Sequence, residues 1–244
     1  MSNQARCVLI TGASSGIGRQ LALDYAQQGW RVYACGRNQD KLFELTTEAD
    51  IMTLCFDVTS EHETQQALAN LQPLPSLWIL NAGDCEYIDD GQIDAAVIKR
   101  VMTVNVFGVA NCIAAVQKDF QPGHKIAIVG SIASEVALPR AEAYGASKAA
   151  VSYFARSLRL ALRQQQVSVV SIYPGFVATP LTDKNTFPMP MMVTVEEASN
   201  SIRSGLSTNK QQIYFPAGFT WALRLIGLLP YYWQAKLVAR LIKN

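Results

Sequence analysis

Histidine is the scarcest chemistry-bearing residue in this chain of 244 residues: His62 and His124 are the only two, and they stand apart. The five cysteines (7, 35, 55, 85 and 112) are scattered, odd in number and free of C-x-x-C spacing. Neither set clusters as a metal site or a disulfide framework requires, so no metal is expected and the thiols read as reduced. A charge excess is also missing. With 21 Lys+Arg against 19 Asp+Glu the net charge is +2, which gives no argument for nucleic acid. There is no low-complexity tract, internal repeat or Pro/Gly/Ser-rich linker, so residues 1–244 read as one domain. The first ten residues, Met1-Ser-Asn-Gln-Ala-Arg-Cys-Val-Leu-Ile10, lack the apolar stretch of a signal peptide, and a cytoplasmic location is the expectation. Apolar side chains are plentiful, at 50% of residues, which suffices for one well-buried core.

Cys7 to Thr11 reads as a strand, followed by the glycine-rich turn Thr11-Gly-Ala-Ser-Ser-Gly-Ile-Gly18 and a helical pattern from Arg19 to Gln28. Strand, glycine turn and helix form a dinucleotide-binding arrangement. Gly12, Gly16 and Gly18 let backbone approach a pyrophosphate, and the N–H groups of Ser15, Gly16 and Ile17 point at it from the helix start. A second strand, Arg31 to Cys35, leads to Gly36-Arg37-Asn38. An acid near this strand's end suits a free ribose 2′-hydroxyl, whereas an arginine suits a 2′-phosphate. No Asp or Glu lies between Arg31 and Gln39, so Arg37, helped by Ser14 and Asn38, favours NADP(H) over NAD(H).

Helix and strand go on alternating: helix Lys41 to Ala49, strand Ile51 to Phe56, helix Glu61 to Leu71, strand Leu77 to Leu80. The third strand ends at Asp57-Val58, where a carboxylate can accept from an adenine amino group or cap the next helix. The fourth ends at Asn81-Ala82-Gly83, where the glycine permits close approach of backbone to ligand. The acidic stretch Asp84 to Asp94 reads as a solvated loop. A long helix, Ala95 to Phe120, carries Asn105 in an apolar run, where its amide must be hydrogen-bonded. Strands at 125–130 and 167–173 complete six, the last closed by Pro174-Gly175. Such alternation implies an α/β fold with a parallel sheet covered on both faces.

The densest chemistry lies between Ser131 and Lys148. Ser131 ends the fifth strand and points into the crevice where open parallel sheets bind ligands. Tyr144 and Lys148, four apart on a helix, share one face. A cation beside a phenol favours phenolate, so Tyr144 is expected to fall from about 10 toward neutrality. Such a group can give a proton to a carbonyl oxygen or take one from an alcohol.

The glycine turn, Asn81-Ala82-Gly83, Asn105, Ser131, Tyr144-x-x-x-Lys148 and Pro174-Gly175-x-x-x-Thr179 together resemble the short-chain dehydrogenase/reductase family, in order and spacing, over roughly residues 5 to 216. The resemblance implies a Rossmann-type doubly wound parallel sheet in three α/β/α layers. It also implies an enzyme that moves a hydride between nicotinamide and a carbonyl/alcohol pair. Ser131 would polarise the substrate oxygen and Tyr144 would act as acid/base. Lys148 would lower the Tyr144 pKa and bind the nicotinamide ribose. Asn105 would hold a water in a proton relay to Lys148, and Thr179 and the backbone near Val177 would meet the carboxamide. Long-helix packing into a homodimer or homotetramer is implied as well. A catalytically silent NADP(H)-binding sensor or scaffold is the alternative, which the complete Ser131, Tyr144, Lys148 and Asn105 set argues against.

Two segments lie outside those motifs. Residues 181–193, with Phe187-Pro-Met-Pro-Met-Met192, read as a lid over an apolar substrate, with Phe176, Val136 and Leu138 as walls; an ordinary surface loop is the equal alternative. The extension 219–244 is apolar, aromatic and basic, with no acidic side chain. Trp233, Leu237, Val238, Leu241 and Ile242 are placed on one side of a helix and Lys236, Arg240 and Lys243 on the other. Such a helix can lie on an anionic membrane or cover a protein surface, and protein cover is favoured here.

Overall fold

The computed structural model describes residues 6–89, 91–185 and 189–242. Its centre is a seven-stranded sheet in the order β3-β2-β1-β4-β5-β6-β7. The strands are β1 Cys7–Thr11, β2 Arg31–Gly36, β3 Met52–Cys55, β4 Leu77–Leu80, β5 Lys125–Val129, β6 Ser168–Pro174 and β7 Gln212–Phe215, and every pairing is parallel. The inner strands are buried on both faces, as continuous runs such as Cys7-Val-Leu-Ile and Leu77-Trp-Ile-Leu require. The seventh strand extends the six read from the sequence; its burial alternates, as suits a sheet edge.

Helices cover both faces, making the three-layer Rossmann-type fold. On one face α1 (Gly16–Gln27), α2 (Gln39–Glu48) and α7 (Val195–Leu206) pack over Val8, Ile10, Ala127 and Ile172. On the other, α3 (Glu61–Leu68), α5 (Gly108–Val116) and α6 (Glu142–Ala161) enclose a second core around Leu9, Trp78, Ile126 and Ile128, while α4 (Ala95–Met102) packs through Val101 on Ile88 and Ala143 of α6. The capping is local and explicit: Asn38, Ser60, Asp94 and Thr194 each accept from the first turn of the following helix.

The helix expected over Ala95 to Phe120 is interrupted. Between α4 and α5 a five-residue π-turn, Thr103–Phe107, is centred on the buried Asn105. The helical run Ala95–Asp119 is long and apolar enough to cross a membrane, with an 18-residue stretch of mean hydropathy 1.4, but Val109, Cys112, Ile113 and Val116 pack it into the core of this fold.

The stretch from Asp84 differs from the solvated loop expected there. Cys85 and Ile88 are buried, Glu86 pairs with Arg100 at 2.7 Å, and Asp89 pairs with Arg140, also at 2.7 Å. These ties draw the loop onto α4 and the approach to α6. Apolar side chains between the acids explain why it packs.

After β7 the chain forms α8 (Ala217–Gly227) and α9 (Tyr231–Ile242). Leu223 and Val238 pack on Ile132 and Val136 of the loop that follows Ser131. Val136, expected as an open wall of the substrate site, is therefore buried under the C-terminal helices. Phe176 meets Phe219 with ring centroids 5.3 Å apart.

Candidate active site

The turn between β1 and α1 is shaped by backbone. Gly12 has φ +68° and Gly16 φ +53°, a region that favours glycine. A methyl group on Gly12 would lie 2.8 Å from Ala82 Cα, and one on Gly18 would lie 2.3 Å from the Gly12 carbonyl oxygen. At the start of α1, Ser15 makes no side-chain cap, so the first-turn N–H groups are not taken by it.

Over this turn opens a cleft of about 500 Å³. Gly12, Ser14, Ser15, Gly16 and Ile17 form one wall; Asn81, Ala82 and Gly83 face them. Arg37, Asn38, Asp57 and Val58 line one end, and Thr179 closes over Gly16. The cleft lies where strand order reverses between β1 and β4. A backbone-lined wall, a helix N-terminus and a cavity of this size fit a dinucleotide, and the chain's own residues supply each contact type such a group needs. Gly36, Phe56, Val104, Pro180 and Leu181 also line the cleft, without a motif to mark them. Pro174, Gly175 and Val177 do not line it. Gly175 packs under Phe219, and Val177 is in the core, its segment bridged to Val193.

Several of these polar groups are already engaged. Asn81 is a tie: its amide donates to the Thr11 carbonyl at 3.0 Å, and the Asn81 and Ala82 N–H groups both donate to Thr11 Oγ1 at 3.0 Å. Asn38 Oδ1 accepts from Lys41 N at 2.9 Å to cap α2. Asp57 accepts from the Thr59 N–H and hydroxyl, while Ser60 rather than Asp57 caps α3. Partial burial pushes the Asp57 carboxyl up, but the Thr59 bonds and the Arg37 guanidinium outweigh it and hold the group below the usual carboxylate range.

Ser131, Tyr144 and Lys148 converge beyond Gly83. Ser131 stands just past β5 and its Oγ accepts from Ala133 N at 3.1 Å. It also hydrogen-bonds the Tyr144 phenol. The buried Lys148 donates to the Val129 carbonyl at 3.0 Å, and its Nζ lies 5.8 Å from the Tyr144 ring centroid. A methyl on Gly83 would fall 3.1 Å from Asn105 Oδ1 and 3.3 Å from Lys148 Nζ, so both groups border Gly83. Both ends of the Asn105 amide are engaged: it donates to the Asp84 carbonyl (2.9 Å) and to Ser147 Oγ (2.8 Å) and accepts from Asp84 N (2.8 Å), with the second lone pair of Oδ1 left over.

The ionisation differs from the sequence expectation. Burial, aided by Cys85 and opposed by the Ser131 bond, pushes the Tyr144 phenol well above its ordinary value instead of toward neutrality. The side chain keeps some surface, but dense protein around its hydroxyl disfavours phenolate, and the ammonium is bound to Val129. Burial also lowers Lys148 to about 8, with Cys85 opposing. Cys85 and Tyr87 thus border the site unmarked by any motif; Tyr87 interacts with both Cys85 and Tyr144.

A nucleotide cleft at a sheet's switch point, ending in a Ser/Tyr/Lys group, defines an oxidoreductase of the Rossmann class. The sequence model of the short chain dehydrogenase family matches residues 6–188, and the chain belongs to that family. An uncharacterized oxidoreductase of Myxococcus xanthus is 34% identical over 92% of this chain and 93% of its own length. The NADPH-dependent 1-acyldihydroxyacetone phosphate reductase of Saccharomyces cerevisiae is 30% identical, covering 88% of this chain and 76% of its own. A short chain dehydrogenase from Burkholderia cenocepacia, solved in complex with NADP, superposes with TM-score 0.80 at 26% identity, covering 94% of this chain and all of that one.

Proposed function

We propose that the chain uses NADP(H) to reduce an apolar carbonyl compound to a secondary alcohol. The convergence of Ser131, Tyr144 and Lys148 beside the cleft carries the reading. NADP(H) is supported by Arg37 at the cleft mouth and by the NADP-bound and NADPH-dependent relatives. When bound, the nicotinamide supplies the hydride.

The protein's part is position and proton. Ser131 donates to the substrate oxygen and aligns it with the phenol. Tyr144, held protonated by burial, gives its proton to that oxygen. A neutral phenol is the proton-donor form that carbonyl reduction uses. Lys148 holds the ribose and reaches the proton relay at Asn105. Gly12, Ser14 and Ser15 hold phosphates, and Thr179 meets the carboxamide. Residues 1–244 act as one domain, with 181–193 as its lid. In that lid Asn185 donates to Met189 Sδ at 3.2 Å and Met191 and Met192 are exposed; Phe187 and Pro188 fall outside the described residues. The apolar Phe176–Phe219 pair and the acylated substrate named for the yeast relative support a lipophilic substrate.

The test is Tyr144→Phe with a panel of lipophilic ketones, followed as NADPH absorbance. Turnover is expected to fall by about 10²–10⁴-fold, with NADPH affinity unchanged. Wild-type turnover in the variant would refute the role. A wild-type protein that binds NADPH and turns over no carbonyl would support the sensor alternative.

A further inference from the structure

We infer that the outer face of α8 and α9 is a docking surface for membranes that carry anionic phospholipid. Helix geometry sorts the side chains. On α8, Trp221, Leu225 and Leu228 recur at i, i+4 and i+7 and share one face, and all three are exposed, opposite the buried Leu223. On α9, the buried Gln234 and Val238 mark the protein-facing side. Tyr232, Lys236 and Arg240, spaced by four, run along the opposite side. Trp233 lies with them instead of beside Val238, where the sequence pattern placed it: Lys236 Nζ sits 4.4 Å from the Tyr232 ring centroid and 5.3 Å from that of Trp233.

The apex between the helices is the most exposed apolar part of this face. Leu228 is 82% and Tyr231 87% accessible. The apex is braced from within, since Gln234 Nε2 donates to the carbonyls of Gly227 (3.1 Å) and Leu229 (2.8 Å). A rigid turn that holds leucines and aromatic rings outward is costly in water and favourable at a lipid interface.

Charge chooses the occupant. No Asp or Glu follows Glu197, while Arg203, Lys210, Arg224, Lys236, Arg240 and Lys243 do. Arg203, on α7, is paired with Asp24, whereas Arg224, Lys236 and Arg240 lie on α8 and α9 themselves. Glu135 and Arg156 line the groove beside Trp221, Leu225 and Leu228. The two helices thus carry cations alone, and the neighbouring acid is matched by an arginine. Tyr and Trp prefer headgroup level, and Lys and Arg stems reach past them to phosphate. An acidic lipid surface complements both features. A second copy of the chain would bring the same cations against themselves across a symmetric contact.

The placement also suits delivery. Through Leu223 and Val238 the helices rest on Ile132 and Val136, directly after Ser131. A methyl on Gly227 would lie only 2.8 Å from the Glu135 carbonyl oxygen, so this contact is close. A bilayer held on the outer face lies one helix layer from the reacting group. The docking itself does not depend on the proposed reaction.

Co-sedimentation of the full chain with phosphatidylglycerol/phosphatidylcholine vesicles and with phosphatidylcholine vesicles, at low and high salt, is the test. Binding is expected to the anionic vesicles, weakened by salt. Both Lys236→Glu/Arg240→Glu and Leu228→Ser/Tyr231→Ser/Trp233→Ser should bind roughly 10-fold more weakly. All the changed residues are exposed, so NADPH affinity and thermal unfolding should match wild type. No pelleting with anionic vesicles, or undiminished binding by both variants, overturns the proposal. It is equally overturned if the variants lose oligomeric mass in vesicle-free solution and no lipid affinity, because the face is then a contact between copies.

Discussion

Arg37 Nη1 lies 3.4 Å from Asp57 Oδ2 across the mouth of the nucleotide cleft, joining the ends of β2 and β3. Taken singly, Arg37 suits a 2′-phosphate and Asp57 an adenine amino group. The structure couples them, and an incoming phosphate would share the guanidinium with the carboxylate. Arg37→Asp is expected to set two carboxylates together and lower NADPH preference over NADH by about 10–150-fold, the equivalent of one charge-assisted bond of about 1.5–3 kcal/mol. The ratio of kcat/KM for the two cofactors measures it, and an unchanged ratio would remove Arg37 from the site.

Gly18→Ala should damage the cofactor cleft more than its one methyl suggests. The added carbon meets the Gly12 carbonyl oxygen, which is backbone and has no rotamer to yield. A shift of the glycine turn is expected, with a loss of about 1–3 kcal/mol in stability and weaker NADPH binding. By contrast, around Gly29 no atom lies within 4 Å of an added methyl, and there only its φ of +75° is strained. Chemical denaturation and cofactor titration of Gly18→Ala should move together; full affinity in the variant would show that the turn tolerates a side chain.

The exposed flank of α6 gives an assembly prediction. Tyr153 (71%) and Leu160 (74%), seven residues apart on one face, are open to solvent, and Phe107 is exposed on the neighbouring π-turn. We expect these long helices to pair between copies in a homodimer or homotetramer. Light scattering on Tyr153→Glu/Leu160→Glu should then report a smaller mass than wild type. A monomeric wild type at micromolar concentration would contradict the expectation.

Alkaline pH should weaken the fold through its thiols. Burial pushes Cys7 to about 11, after the lowering effect of Arg31, and Cys112 to about 12; it also carries Cys35 well above its ordinary value. Unfolded thiols ionise near 8.5, so above that pH the folded state binds more protons and stability falls as pH rises. Each thiol contributes up to about 1.4 kcal/mol per pH unit. Lys148 opposes: lowered to about 8, it deprotonates in the folded state first and adds stability as pH climbs toward the unfolded value near 10.4. Lys125, also lowered by burial, opposes in the same sense, and three thiols outweigh two lysines. Denaturation midpoints should therefore drop between pH 9 and pH 11, less steeply in Cys112→Ala.

Much of this was legible because parallel strands buried on both faces write continuous apolar runs, and because glycine turns and capping residues act locally. Cys7–Thr11, Leu77–Leu80 and the Thr11–Gly18 turn needed no partner to be recognised. The π-turn was not legible: Val104-Asn105-Val106 has the composition of an ordinary buried helix, and only the bonds of Asn105 to Asp84 and Ser147 reveal the change of pitch. Nor was the ionisation of Tyr144. Spacing puts a lysine on its face, but burial and the competing Val129 carbonyl decide the sign. Cys85 and Tyr87 were hidden because residues that border a site through tertiary packing leave no periodic mark.

A π-turn holds one more residue than the α-helical turn it replaces. Between Ala95 and Val116, Thr103–Phe107 is therefore a place where the chain is one residue too long and the flanks absorb it. Removing one residue there would restore an ordinary helix and leave Val101 and Val109 where they sit. The same removal a turn earlier or later would swing every following side chain by about 100° around the axis. Length here is thus separable from sequence: the surplus residue presents Asn105 to Asp84 and Ser147, and the surrounding sheet does not require it.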